Sequence, residues 1–177
     1  MPRGSACPRR GFGHPLPRLD KSALLHAIVA RLEAELALQT EAAHASRTEA
    51  TDADSRAEGK FDMRGQSAAY LASGQARLAT EIAEAVAAYR ALPLRSFGPA
   101  EAIAVGALVT LAAGGRRSAY FLGPLRGGID VEIDGVPVTV ITAGSSLGRS
   151  LLGRRVGDTV SLPARHGPSL QTVTALA

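Results

Sequence analysis

The sequence predicts an α+β chain: an N-terminal antiparallel helical hairpin of coiled-coil type, then a small antiparallel β domain. Three observations predict it. No proline interrupts the chain between Pro17 and Pro93. Apolar residues inside that window recur at spacings of three and four, as on one face of a helix. Past the window the grammar changes to short apolar runs punctuated by glycine, and 13 of the 19 glycines lie from Gly98 onward.

Composition bounds the rest. With 177 residues the chain has room for one ordinary domain or two small ones. The hydrophobic fraction is 46%, yet aromatics are only 4% and Trp is absent, which suits Ala-rich helices around a small core. The net charge of +4 is unevenly spread: residues 1–19 carry +4, residues 20–91 carry −3 and residues 92–177 carry +3. A mildly basic C-terminal part can meet nucleic acid or an acidic protein surface, but it is no nucleic-acid-binding stripe. A single cysteine, Cys7, allows no disulfide within the chain and fits a reducing compartment. Four scattered histidines offer no zinc-ligand spacing. No run approaches the ~18 apolar residues of a membrane span, and no apolar segment of a secretory signal follows the first residues. The expected location is cytoplasmic.

Residues 1–19 hold four prolines and three glycines. Such a stretch cannot propagate a helix, so a disordered basic arm is expected. Residues 20–91 read as the hairpin. Asp20 or Ser22 can cap its start. Leu25, Ile28, Leu32 and Leu36 form the first stripe, continued weakly by Gln39 and Ala43. Leu71, Leu78, Ala85 and Leu92 repeat every seven residues, with Gly74, Ile82 and Tyr89 between them, a second seam. Neither stripe is stable exposed, and the nearest partner is the other. Between them, residues 49–62 carry five acids (Glu49, Asp52, Asp54, Glu58, Asp62) against Arg56 and Lys60. If the stripes pair, this acidic stretch is the tip.

Residues 92–98 read as a linker, and residues 99–177 as the β domain. Val105–Leu111 and Ala119–Leu122 read as strands around Gly114–Gly115. Two further short strands flank Asp134–Gly135, a hairpin signal, and Pro137 argues that the second is an edge strand or starts late. Ser145–Leu152 reads as one or two helical turns, with Val160–Leu162 and Leu170–Thr174 as a closing pair.

The order of these parts, together with the run Ser145-Ser-Leu-Gly-Arg-Ser-Leu-Leu-Gly-Arg-Arg-Val-Gly-Asp-Thr-Val160, resembles the Gre transcript-cleavage factors (GreA/GreB-like) of bacteria. Ser145, Leu147, Arg149, Leu151, Leu152, Gly153, Gly157, Asp158 and Val160 fit the family's C-terminal pattern, while Ser146 replaces its usual proline. The likeness spans about 60 C-terminal residues by sequence and about 70 more by architecture. It implies an FKBP-like C-terminal domain that docks on RNA polymerase near the mouth of the secondary channel. The hairpin tip would then enter the channel and regulate transcription elongation, with cleavage of backtracked RNA as the associated reaction.

The same resemblance implies that tip acids, Asp54 and Glu58 with Asp52 as a substitute, hold a Mg²⁺ shared with the polymerase centre. Hard carboxylate oxygens suit that ion. The factor itself is then no enzyme, and none of the cofactor is held stably by the chain alone. Ser145, Leu147, Arg149, Arg154, Arg155 and Asp158 are the partner-binding residues the resemblance implies. Nascent RNA and DNA are met only inside the elongation complex, no membrane is involved, and the chain is a monomer. The tip departs from the family's run: Asp54 and Glu58 are one residue further apart, Gly59 stands for Asn and Phe61 for Tyr. Two alternatives follow. One is a channel-plugging regulator without cleavage activity; the other is a coiled-coil interaction or oligomerisation module.

Three other readings are weaker. Gly144-Ser-Ser-Leu-Gly148 matches a nucleophile elbow, but only His166 follows it and the large α/β sheet is missing. Prolyl isomerisation needs an aromatic pocket, and this half has only Phe97, Tyr120 and Phe121. Arg116, Arg117, Arg149, Arg154 and Arg155 read equally well as a contact face or as ordinary surface charge.

Overall fold

The computed structural model describes residues 19–56, 63–164 and 167–177. Among them stand three helices and six strands, in the order α1 (Lys21–Arg56), α2 (Met63–Arg90), β1 (Leu108–Ala113), β2 (Arg116–Gly123), β3 (Ile129–Ile133), β4 (Val136–Thr142), α3 (Ser146–Leu151), β5 (Thr159–Ala164) and β6 (Gly167–Leu176). The predicted α+β class is therefore the observed one.

Asp20 starts α1: its Oδ1 accepts from the Ser22 N–H at 2.8 Å, satisfying one of the free donors of the first turn. Pro93 lies three residues beyond the end of α2, where the chain cannot continue as a helix. The two helices run antiparallel, since Glu33 meets Arg90 near one end and Ser46 meets Gln75 further along.

The six strands form one sheet in the order β3-β4-β2-β1-β6-β5. Four of the five pairings are antiparallel; β2 and β4 run parallel. The purely antiparallel sheet of the sequence reading is corrected on this point. After β2 the chain passes to the far edge, forms β3, and turns at Asp134–Gly135, both at positive φ. β4 thus returns between β3 and β2. Pro137 accordingly sits in an internal strand rather than at an edge. It is tolerated because it pairs only with Glu132 of β3, and the ladder to β2 begins one residue later at Val138. β1 also starts later than expected, at Leu108, because Gly106 takes φ +89° in a turn that leaves Val105 exposed.

Alternation along the strands sends side chains to two faces. Leu108, Ala119, Phe121, Val138 and Val140 face the hairpin, where they share one core with Leu24, Leu25, Ile28, Leu32, Ile82, Ala85, Val86 and Tyr89. Val109, Leu111, Leu122, Ile141, Val160, Leu162 and Val173 face the other way and are covered by Phe97, Ile103 and Leu151. Burial on both faces explains why β2 reads as a continuous apolar run at Ala119–Leu122.

Candidate functional site

Two regions bear on function: the far end of the hairpin, and the base that aims it. Neither core includes a described residue of α1 past Leu36 or of α2 before Leu78. From Leu36 to Arg56, α1 therefore runs on for about 30 Å at 1.5 Å per residue without the sheet beneath it. Asp52 and Asp54 lie on the last turns of α1. Glu58, with the rest of residues 57–62, lies outside the described residues. Among the described residues no group of three or more His, Cys, Asp or Glu gathers.

Among its described side chains the far half is thinly packed. Ser46 is buried and donates to Gln75 Oε1 at 2.9 Å. Leu71 and Gly74, expected in the seam, are exposed instead, Leu71 at 54%. The heptad spacing is present, but here no third layer closes over the seam. Tyr70 is more exposed still, at 85%.

The base is locked to the sheet by contacts that sequence reading missed. The Tyr89 hydroxyl donates to the Leu125 carbonyl at 2.9 Å. Burial pushes that hydroxyl well above its ordinary value. Gly123 makes room for it: a Cβ at this position would stand 2.0 Å from the Tyr89 oxygen. One residue past Leu125, Arg126 Nη2 pairs with Glu35 Oε1 at 2.6 Å. The loop after β2 thus grips α2 through Tyr89 and α1 through Glu35. The only local hint is the glycine-bounded Gly123-Pro-Leu-Arg-Gly-Gly128, which reads as an ordinary turn.

The C-terminal candidates are placed individually. Ser145 caps α3: its Oγ accepts from the Gly148 N–H at 3.0 Å and donates to the Thr142 carbonyl at 2.8 Å. Leu147 is half-buried against the sheet's second core, and Leu151 is fully buried there. Arg149 is exposed, with its guanidinium on the Gly144 carbonyl. Arg154 and Arg155 are exposed, and Asp158 Oδ2 accepts from the Arg155 N–H at 2.9 Å, closing a turn. Gly148 is required by close approach, since a Cβ there would meet the Thr142 oxygen at 1.9 Å. In the elbow-like run Gly148 thus serves packing and Ser145 serves as the cap. Phe121 lies in the hairpin-side core while Phe97 and Tyr120 belong to the opposite one, so these aromatics line no common pocket. No described helix is long and apolar enough to cross a membrane.

No known protein family matches the sequence, and no curated protein matches it. Solved structures do. The chain is similar to the GreA factor homolog 1 (Gfh1) protein of Thermus thermophilus at 22% identity and a TM-score of 0.36, over 84% of this chain and 94% of that one. It is similar to Gfh1 of Thermus aquaticus at 24% and 0.38, over 83% and 92%. It is also similar to a prokaryotic transcription elongation factor GreA/GreB from Nitrosomonas europaea at 19% and 0.36, over 59% and 79%. A likeness of this size assigns no function to the chain.

Proposed function

We propose that this chain is a Gre-like accessory factor of bacterial RNA polymerase in the cytoplasm. It docks through the sheet domain and inserts the hairpin tip into the secondary channel to regulate elongation. The single observation that carries the reading is the arm itself: two antiparallel helices anchored at one end, of which α1 runs about 30 Å past the anchor, into a stretch of five acids. The 145–160 resemblance supports it independently. Asp54 and Glu58, or Asp52 in place of Asp54, supply carboxylate oxygens of the kind Mg²⁺ takes. Such an ion, when bound beside a second, activates water against a phosphodiester. The polymerase owns the reaction, and the chain contributes ligands and their delivery.

The test is RNA release from a purified backtracked elongation complex, with wild-type protein and with Asp54→Ala/Glu58→Ala. Cleavage by the wild type alone supports metal delivery by that pair. Slowed nucleotide addition without cleavage supports a channel-plugging regulator. No effect, together with no co-elution with polymerase, overturns the transcription reading.

Exposed Tyr70 and Leu71 on the far half of α2 favour a second reading, a coiled-coil interaction or oligomerisation module. Solution mass separates the two, since a stable dimer lost on Leu71→Ala favours the module and a monomer favours the polymerase factor.

A further inference from the structure

Beside the start of α1 lies a cleft of about 460 Å³. Leu25, Val29 and Ala30 of α1 line one wall; Tyr89, Leu92 and Leu94 line the other, where α2 gives way to the linker. Leu94 is 58% exposed. Ser22 stands at one end of the cleft, and the ion pair of Glu33 with Arg90 at the other. From Ser22 to Glu33 the lining face of α1 runs about 16 Å at 1.5 Å per residue.

Residues 1–18 lie outside the described residues, and they join the chain at this end of α1. Leu19 packs against the core that holds Leu24 and Leu25, so the chain enters α1 held against the hairpin. The segment ahead of it reads Phe12-Gly-His-Pro-Leu-Pro-Arg18. Each proline fixes its own φ and holds the residue before it, His14 or Leu16, extended. In the polyproline form, at 3.1 Å per residue, Phe12 to Pro17 is about 16 Å long, the length of the cleft. Charge points the same way. Residues 1–19 carry +4 and residues 20–91 carry −3. With Phe12 at the Glu33 end, Arg9 and Arg10 arrive there too, and a carboxylate paired with one guanidinium has lone pairs for a second.

We propose that residues 12–17 dock in this cleft, with Leu16 and Phe12 on its apolar walls and the preceding arginines at Glu33, so that the N-terminal arm straps α1 to the linker. Apolar surface of Phe12, Leu16 and Leu94 leaves water, and the prolines cut the cost of ordering the segment. The tether at the mouth of the cleft makes the docking intramolecular, which a second copy or a separate partner has to outcompete. The strap is independent of the polymerase reading.

The only cysteine, Cys7, places a nitroxide on the arm of the full chain without touching the docked run. Loss of amide signal relative to the reduced label is then read along α1. Cys7 stands five residues before Phe12 and twelve before Leu19. At about 5–6 Å × √n for a free segment, a docked arm keeps the label about 12 Å from Phe12. Loss is therefore expected to be strongest from Glu33 to Leu38 and weaker from Ser22 to Leu25. An undocked arm, tethered only at Leu19, gives the reverse order, strongest at the first turn and fading along α1, and that profile overturns the proposal. Phe12→Ser/Leu16→Ser, and separately Leu94→Ser at its exposed position, should each convert the docked profile into the undocked one with the helical circular dichroism signal unchanged. A profile that survives either variant overturns the docking. Isotope-labelled Cys7→Ser chain mixed with spin-labelled chain of natural isotope content should show no loss. A loss at Glu33 in that mixture means that a second copy's arm fills the cleft, which overturns the strap.

Discussion

At its base the hairpin is closed by Leu24, Ile28, Leu32, Ile82, Ala85 and Tyr89 against a sheet that supplies Phe121, Val138 and Val140. Further out the same two helices meet through the hydrogen bond from Ser46 to Gln75, and Leu71 stands open. Both halves come from one Ala/Leu-rich pattern. The difference is the third layer. A helix pair buries a stripe only a few residues wide, and the sheet adds a second apolar surface that the base removes from water. Stability therefore belongs to the base, while the far half is an extension carried on it. Among the described residues the far half adds small terms, the Ser46–Gln75 hydrogen bond and, at its inner edge, the exposed pair Arg77–Glu81, 3.7 Å apart.

The strongest way to break this comparison is to empty the base. Leu32 is fully buried between the helices and the sheet. Leu32→Ala should cost about 2–5 kcal/mol by lost transfer and residual cavity. Urea unfolding followed by circular dichroism measures it, and a loss below about 1 kcal/mol would mean the base is not the core it looks to be. Next in size is Gly123→Ala. Its Cβ would stand 2.0 Å from the Tyr89 oxygen and 2.9 Å from the ring carbon that bears it. Overpacking of this kind costs about 1–3 kcal/mol. Tyr89→Phe in the same chain should return part of that loss, because it removes the nearer of the two atoms. No recovery would place the strain elsewhere.

These contacts also mark where the sequence stopped being informative. The hairpin was legible from the proline-free window, and the β3–β4 turn from Asp134–Gly135, because both are local patterns. The place of β4 inside the sheet was not. Its parallel neighbour β2 is set by a crossing of the chain, and Pro137 argued on local grounds for an edge or a late start, of which the late start of the ladder to β2 is the one observed. The acids of the far end were legible as composition. The lock at the base was not: Glu35 and Arg126 are 91 residues apart, and Tyr89 and Leu125 are 36 apart, with no motif joining them. Nothing local marks Gly123 or Gly148 as special, yet each is fixed by an oxygen that would sit within 2.0 Å of a Cβ. Leu71 misled for the opposite reason. Its heptad position is right, but spacing reports a face and says nothing of what covers it.

A smaller effect sharpens the comparison from the other side. Ser46→Ala removes the donor to Gln75 and leaves a half-buried amide oxygen without it. That loss is worth about 1 kcal/mol, and the better helix propensity of alanine returns about 0.5. The net should be about 0.5 kcal/mol. Its signature is local: amide exchange should quicken in the far half of α1 and α2 and stay unchanged around Ile28 and Tyr89. Equal quickening at both ends would show that the two halves open as one unit.

The smallest effect decides whether the far half is bare in solution. Leu71 has the residue type and the heptad position of a core leucine, like Leu32, but not its burial. If exposure governs, Leu71→Ala changes stability by no more than about 0.5 kcal/mol, since alanine loses little contact and gains helix propensity. The prediction is sharp because both substitutions delete the same atoms from the same hairpin. Any difference then measures what the sheet adds at the base. A loss above about 1.5 kcal/mol for Leu71→Ala, or one that grows with protein concentration, would mean that another surface covers this leucine. In that case the far half is an interface rather than a free arm.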